Sequence, residues 1–373
     1  RLLWKCMFCN LEPVPRLHRF KSSPVNIFIS LFAFIVIVST VFSIDPAGSF
    51  RDFSIHMVSF GLIFVLLHSK KTKKDIYLLS LVFIIAAILV SFHGIYQFLT
   101  NVEMESGWVD ISQNRYINVR VFSTFENPNL LAEYLLIIIP ISIAFIFYSE
   151  NFYKKLFFII ATSVMLLTIG LTYSRGGWLG LLAAIIVFLL LANTKTLLLL
   201  VPIGMLGILC LPASILQRIK TIGSLQDSSN FYRYNLWSMS LNILKDFWYS
   251  GLGIGYLPFF RKASPLYLGP IAPYHTHNTF LQIAIETGIV GLIIFVGLAL
   301  TLIKTAVAVV LQTKSKFIKI FTASYTAGLS GILLHGLVEH ILYNPKIIIT
   351  FWLIIGMIIS LYKIHQEDGQ EGY

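Results

Sequence analysis

The 373-residue chain carries a net charge of +11, yet only 12% of its residues are charged, 57% are hydrophobic and the mean hydropathy is +0.80. A soluble globule carries about 25% charged residues, so this composition excludes a soluble domain and points to an integral membrane protein. The lysines and arginines lie mostly in short stretches between apolar runs, a pattern that sets topology and meets anionic lipid, and nucleic acid is not an expected partner.

The apolar runs are about 17–25 residues long and lack strand alternation, so they read as helices rather than barrel strands. Residues 1–23 form a basic, proline-containing segment leading into a first span at about 24–44. A short turn, Ser43-Ile-Asp-Pro-Ala-Gly-Ser49, precedes a span near 51–68, and Lys70, Lys71, Lys73 and Lys74 make the next loop strongly basic. A third span runs from about 76 to 99 and a polar segment follows near 100–126. Spans near 128–148 and 156–173 come next, and Ser174-Arg-Gly-Gly-Trp178 makes a tight turn into a span near 178–192. After Asn193-Thr-Lys-Thr196 another span is expected to about residue 214.

Residues 215–276 make one large loop, and spans near 278–303, 317–337 and 346–363 complete the set before a polar tail, 364–373. The sum is an all-α polytopic protein of about ten transmembrane helices, divided into N-terminal helices (24–214), the loop and C-terminal helices (277–363). The positive-inside rule puts residues 1–23, the tail and the loops at 69–75, 149–155, 193–196 and 304–316 in the cytoplasm. The large loop and the segments carrying Arg120, Arg175, His277 and His340 then share the outer face.

Cys6-x-x-Cys9 has no second pair and reads as two incidental thiols, and Cys210, inside an apolar run, reads as packing. The glycines of Trp248-Tyr-Ser-Gly-Leu-Gly-Ile-Gly255 suggest a tight, irregular backbone; with no strand before them they are not a nucleotide loop.

The outer face gathers the polar groups. Asn127-Pro-Asn129 reads as a turn starting a helix. Arg233 and Trp237 are at i, i+4 spacing, as are His335 and Glu339, which would share a helix face. The stretch Tyr274-His-Thr-His-Asn-Thr-Phe-Leu-Gln282 joins the large loop to an apolar helix, with His275, His277 and Asn278 at its mouth and Glu286 about two turns further in. Such groups in a bilayer usually mark a site. His275 and His277 with Glu339 or His340 could hold one metal ion, but an H-x-H pair without a clear third ligand is weak evidence, and no metal or cofactor is expected. Arginines suit a pyrophosphate through forked, charge-assisted hydrogen bonds, and histidine can take a hydroxyl proton at neutral pH. Together they describe attack by a hydroxyl on a polyprenyl-pyrophosphate-linked sugar. Phe231, Tyr232, Tyr234, Trp237, Trp248, Tyr249 and Tyr256 could stack on sugar rings or anchor the loop at the interface.

In order along the chain, Ser43–Ser49, Thr124-Phe-Glu-Asn-Pro-Asn-Leu-Leu-Ala132, Ser174–Trp178, Arg233…Trp237, Gly251–Tyr256, His275–Gln282 and Glu286-Thr-Gly-Ile-Val-Gly291 resemble the O-antigen ligase and polymerase superfamily of bacterial inner-membrane glycosyltransferases. The resemblance implies a many-helix fold of the C type among glycosyltransferases. It also implies a donor glycan on undecaprenyl pyrophosphate, transferred at the periplasmic face without nucleotide sugar or metal to an acceptor hydroxyl such as a lipid A-core sugar. By motif position His277 matches the catalytic histidine, and Arg175 and Arg233 match arginines for the donor pyrophosphate. Arg120 and Arg261 are looser assignments to the same role. His275, Asn278, Glu286, Asn127, Asn129, Trp237 and Glu339 are expected to support the site. The family commonly shows about twelve spans; the start at Arg1 rather than methionine suggests a missing N-terminal helix pair. A polymerase and a protein O-oligosaccharyltransferase share the same chemistry, and a polysaccharide transporter is the alternative from another class. A transporter would need polar groups through the middle of several spans and usually an internal repeat.

Overall fold

The computed structural model describes residues 24–69, 71–104, 108, 117–199, 204, 211–224, 227–267 and 273–370. The N-terminal segment with Cys6 and Cys9, Lys70, Cys210, and most of the expected span ending near residue 214 lie outside the described residues.

The described chain is helical. The principal helices are α1 (Pro24–Val41), α2 (Pro46–His68), α3 (Lys73–Leu99), α4 (Pro128–Tyr148), α5 (Phe152–Leu171) and α6 (Arg175–Ala192). They are followed by α7 (Ala213–Lys220), α8 (Ser228–Phe247), α9 (Thr279–Gln312), α10 (Lys316–His335) and α11 (Pro345–Gln370). Eight are long and apolar enough to cross a membrane (α2 to α6 and α9 to α11), and α1 carries a shorter apolar stretch, Val25–Val41. The all-α polytopic architecture is therefore as the composition implies.

Several helices begin earlier than the apolar runs suggest, because the local capping chemistry extends them. Asp45 accepts from the Gly48 amide with Pro46 at the first helical position, so Pro46–Ser49 is the opening turn of α2 rather than part of a loop. Thr72 and Asp75 form a reciprocal capping box that starts α3. Asn151 caps α5 through the Lys154 amide. Ser174 caps α6, which makes Arg175 its first residue instead of a residue of the preceding turn.

Most of α4, α10 and α11 is buried, whereas α2, α3 and α5 leave many apolar side chains exposed on the bundle's surface. The backbones of α6 and α10 come close together. A Cβ on Gly180 would stand 2.8 Å from the Gly331 carbonyl oxygen, and one on Gly331 would stand 2.6 Å from the Gly180 oxygen. Small residues let the two backbones touch, which is how helices pack where no hydrophobic effect separates them from lipid.

The two ends of the bundle differ in chemistry. At one end Lys73 pairs with Asp368 at 2.6 Å, and Lys316 reaches the Tyr148 carbonyl at 3.5 Å and Glu150 at 3.8 Å. At the other end the loops following α1, α3, α5 and α10 converge on the described parts of 211–278. Asn193, after α6, is at the lysine-rich end beside Lys314 and Lys316. Ser214 of α7 is at the opposite end, its hydroxyl 3.0 Å from Tyr173.

One helix carries a deliberate break. Within α9 Gly288 has φ +72°, and the carbonyl of Trp248 accepts from Ile289 at 2.7 Å. The loop Gly251–Gly255 is pressed into this break: the amides of Leu252 and Gly253 donate to the carbonyls of Ile285 and Glu286 at 2.8 and 3.1 Å. Ser43 closes the other side, donating to the Leu252 carbonyl at 3.1 Å and accepting from Ser49 at 2.8 Å. Irregular backbone is tolerated at this depth because it is enclosed by protein.

Candidate active site

His277 occupies a left-handed conformation (φ +51°) just before α9. Four hydrogen bonds set it there. Asn278 caps α9 through the Leu281 amide at 3.0 Å and donates its own amide to the Leu337 carbonyl at 3.0 Å. The Thr279 amide donates to the Gly336 carbonyl at 2.7 Å, and the Thr279 hydroxyl donates to the Glu339 carbonyl at 2.8 Å. The histidine loop is thereby stitched to the loop after α10, and His277 Nδ1 lies 2.6 Å from Glu339 Oε1.

That contact corrects one expectation. His335 and Glu339 do not share a helix face, because α10 ends at His335 with Gly336 as its cap. His335 turns instead to Glu133 of α4, Nε2 to Oε1 at 3.2 Å, packed so closely on Gly176 that a Cβ there would meet it at 2.7 Å. Glu339, released from the helix, turns to His277.

Glu339 is buried and is the hub of the site. Its Oε2 accepts from the Asn129 amide at 2.8 Å and lies 3.5 Å from Arg233. Asn127 caps α4 through the Asn129 and Leu130 amides and so fixes the start of that helix. Arg120 then holds Asn129 Oδ1 at 3.2 Å while its other donors go to the Thr172 carbonyl at 2.7 Å and the Trp108 carbonyl at 2.6 Å. Burial would raise the Glu339 carboxyl, but the charge and hydrogen bond of His277, with His275 and Arg233, outweigh it and hold the group well below the usual carboxylate range. Glu339 is an anion that keeps a proton on Nδ1 of His277 and leaves Nε2 as the basic nitrogen. The ring is part-buried and reaches the surface beside Tyr232, 6.2 Å centroid to centroid.

A second cluster of arginines adjoins this pair. Arg175 bonds the Thr221 carbonyl and hydroxyl, each at 2.9 Å, and Asp227 Oδ1 at 2.8 Å. Arg218 meets the other oxygen of Asp227 at 3.4 Å and the Tyr173 carbonyl at 3.4 Å. Burial raises the Asp227 carboxyl, and the two arginines more than offset it, so it too is held low. Burial first, and then the nearby charges of Arg218, Arg233 and Arg175, push the Arg120 guanidinium down to about 9. Four guanidinium groups therefore stand close enough to act on one another against two carboxylates. Arg233 is distinctive among them: its Nε is buried and has no hydrogen-bond partner among the described residues.

The remaining expected residues divide. Trp237, one turn after Arg233 on α8, donates its indole N–H to the Thr276 carbonyl at 2.9 Å and braces the histidine loop. His275 is buried, and its Nδ1 accepts from the His277 amide at 3.2 Å. Burial, with the neighbouring His277, drives it well below the usual histidine range, so it stays neutral. Glu286 is one layer deeper: it accepts from Gln282 at 2.9 Å, Gln282 accepts from the Thr276 amide at 2.8 Å, and His340 Nε2 is 3.9 Å away. Arg261 stands apart from the arginine cluster, exposed and 3.9 Å from Asp45.

The ligand atoms of His275, His277 and Glu339 all fall within 4.8 Å of one another, a spacing that could hold a metal ion. The 2.6 Å separation of His277 Nδ1 and Glu339 Oε1 is that of a direct charge-assisted hydrogen bond. Two ligands on a tetrahedral zinc, each at about 2 Å, would stand about 3.3 Å apart.

Arg218 and Asp227 are the members that sequence reading missed. Arg218 sits in Gln217-Arg-Ile-Lys220, which looks like any basic turn at a membrane surface, and Asp227 before Ser228 looks like an ordinary helix cap.

Curated proteins offer no match to this chain. The family model described as O-Antigen ligase matches residues 160–296, a stretch that holds Arg175, Arg218, Asp227, Arg233, His275, His277 and Glu286, while Arg120, Asn129 and Glu339 lie outside it. Taken with the ordered motifs and the polytopic helical fold, that match over residues 160–296 supports a likeness to the O-antigen ligase superfamily.

Proposed function

We propose that the protein is a ligase-type glycosyltransferase of this superfamily, moving a glycan from undecaprenyl pyrophosphate to an acceptor hydroxyl such as that of a lipid A-core sugar. The site would face the periplasm from the inner membrane. The observation that carries the reading is the 2.6 Å His277–Glu339 pair set against arginines, one with an unsatisfied buried N–H.

In this reading the acceptor O–H gives its proton to Nε2 of His277, whose Nδ1–H is held by Glu339. The acceptor oxygen forms the new bond to the anomeric carbon. The bond from that carbon to the diphosphate oxygen breaks, and the electron pair leaves with the diphosphate. Arg233 and Arg175, with Arg218, meet that charge, and electrostatic stabilisation of a leaving group of this kind is usually the largest catalytic contribution. Arg120 acts from inside the protein, by holding Asn129 on Glu339 and by its charge.

Deleting the gene in its own host tests the reading, with gel profiles of lipopolysaccharide and of extracted lipid-linked glycan. A ligase predicts loss of the polymer ladder with long glycan accumulating on the lipid carrier. Accumulation of single repeat units would mean a polymerase, and an unchanged lipopolysaccharide profile would mean a different acceptor. Precursors trapped on the cytoplasmic side would favour transport.

A further inference from the structure

Beside His275 four aromatic rings from separate stretches of chain meet. Tyr256 and Phe260 come from the short helical pieces Tyr256–Pro258 and Phe259–Ala263, Tyr274 from the loop before His275, and Tyr343 from the loop after α10. Phe260 stacks on Tyr274, centroids 4.8 Å apart and planes at 25°. Tyr256 meets Tyr343 at 5.3 Å and Tyr274 at 5.9 Å, both edge-on. Tyr343 is 4.7 Å from the ring of His275, which is 4.3 Å from that of His277. The aromatic surface thus begins one imidazole away from the base.

These rings are not core. Tyr274 is 53% exposed and the other three are half-buried. The guanidinium of Arg51 lies 5.4 Å over the ring of Tyr256, and Arg261 stands on the helical piece that carries Phe260; both are solvent-exposed. The approach also differs from that of the arginine cluster. Arg233 reaches the pair through Glu339 Oε2, whereas the rings reach it through His275. Tyrosine offers a rigid apolar face with a polar edge at low entropic cost, which suits the C–H faces and hydroxyl rims of a sugar. Arg51 has Asp52 beside it at 3.4 Å and Arg261 has Asp45 at 3.9 Å, and each of these exposed guanidiniums keeps further donors for an anion at the edge.

We infer that Tyr256, Phe260, Tyr274 and Tyr343 form the acceptor subsite, and that its ligand is a saccharide carrying phosphate or carboxylate, stacked on the rings with its charge toward Arg51 and Arg261. The word acceptor rests on the transfer reading above; the binding of an acidic saccharide does not.

The test is binding of a phosphorylated lipopolysaccharide core oligosaccharide, released by mild acid, to the purified full chain in detergent, titrated by saturation-transfer NMR. Wild type should bind it saturably. Tyr274→Ala and Phe260→Ala should each weaken binding roughly tenfold, and Tyr274→Trp should keep it. Dephosphorylating the oligosaccharide should weaken binding to the wild type but not to the double variant Arg51→Gln, Arg261→Gln. Absence of saturable binding, or platform variants that bind like wild type, would overturn the assignment. So would platform variants that lose copurifying phospholipid while sugar binding holds, which would make the rings a membrane-interface belt. If the oligosaccharide fails to bind while His277→Ala abolishes transfer, the transfer reading stands and the subsite falls. If binding follows the rings and His277→Ala transfers normally, the reverse holds.

Discussion

At the scale of single residues the site depends on Glu339, whose two oxygens do different work. Oε1 fixes the His277 tautomer, and Oε2 ties α4 and α8 to it through Asn129 and Arg233. Glu339→Gln should therefore lower kcat for glycan transfer by about 10²- to 10⁴-fold with little change in donor KM, since it disturbs a base rather than a binding contact. Arg233→Ala should lower kcat as well, because it meets the leaving charge, and should in addition raise donor KM about 10- to 100-fold, as expected for losing hydrogen bonds to a charged group. Steady-state kinetics on the purified variants separates the two. His340 makes a prediction about stability. It is buried and lowered to about 3, chiefly by burial, against 6.5 for an ordinary histidine. Between those values the unfolded chain binds a proton that the folded one refuses, so its contribution is complete above pH 6.5 and is lost as pH falls toward 3. At pH 5 about 2 kcal/mol has gone. Thermal unfolding in detergent should fall from pH 7 to pH 5, and His340→Gln should flatten that slope; an unchanged slope in the variant would refute the assignment.

Among the elements, the glycine loop shows how local sequence and distant packing combine. A Cβ on Gly253 (φ +116°) would stand 1.9 Å from the Ser43 hydroxyl, so Gly253→Ala meets both backbone strain and a clash. The strain alone is worth about 1–3 kcal/mol, and melting of the purified variant should show at least that loss. Adding Ser43→Gly should recover part of it by removing the atoms the Cβ meets; no recovery would mean the clash is not what matters. The tight backbone of this loop was legible from its glycines, and so were the helix starts at Asn127-Pro128 and Asn278. What was not legible was anything set by a partner far along the chain. Sequence spacing describes one helix at a time, so His335 and Glu339 look like neighbours on a face until α10 ends between them and each finds a partner elsewhere. Arg218 and Asp227 were hidden for the same reason, because their roles come from Arg175 on another helix.

On the scale of the whole molecule, the bundle separates a lysine-rich end from an end that holds the arginines, the histidines and the glycine loop. The expected orientation puts the lysines in the cytoplasm. With Cys6, Cys9 and Cys210 replaced by serine, single cysteines at Lys154 and Lys314 should resist a membrane-impermeant maleimide in intact spheroplasts. Cysteines at Tyr249 and Leu266, both exposed at the site end, should react; the reverse pattern would invert the topology. One expected crossing, ending near residue 214, falls mostly on residues outside the described set.

The proposed mechanism rests on one base, His277, held by one carboxylate, and its most direct test is transfer by purified His277→Ala, reconstituted with extracted lipid-linked glycan and acceptor. The account predicts a fall in turnover of about 10²- to 10⁴-fold, with membrane insertion and melting like wild type. Full turnover in that variant would contradict it.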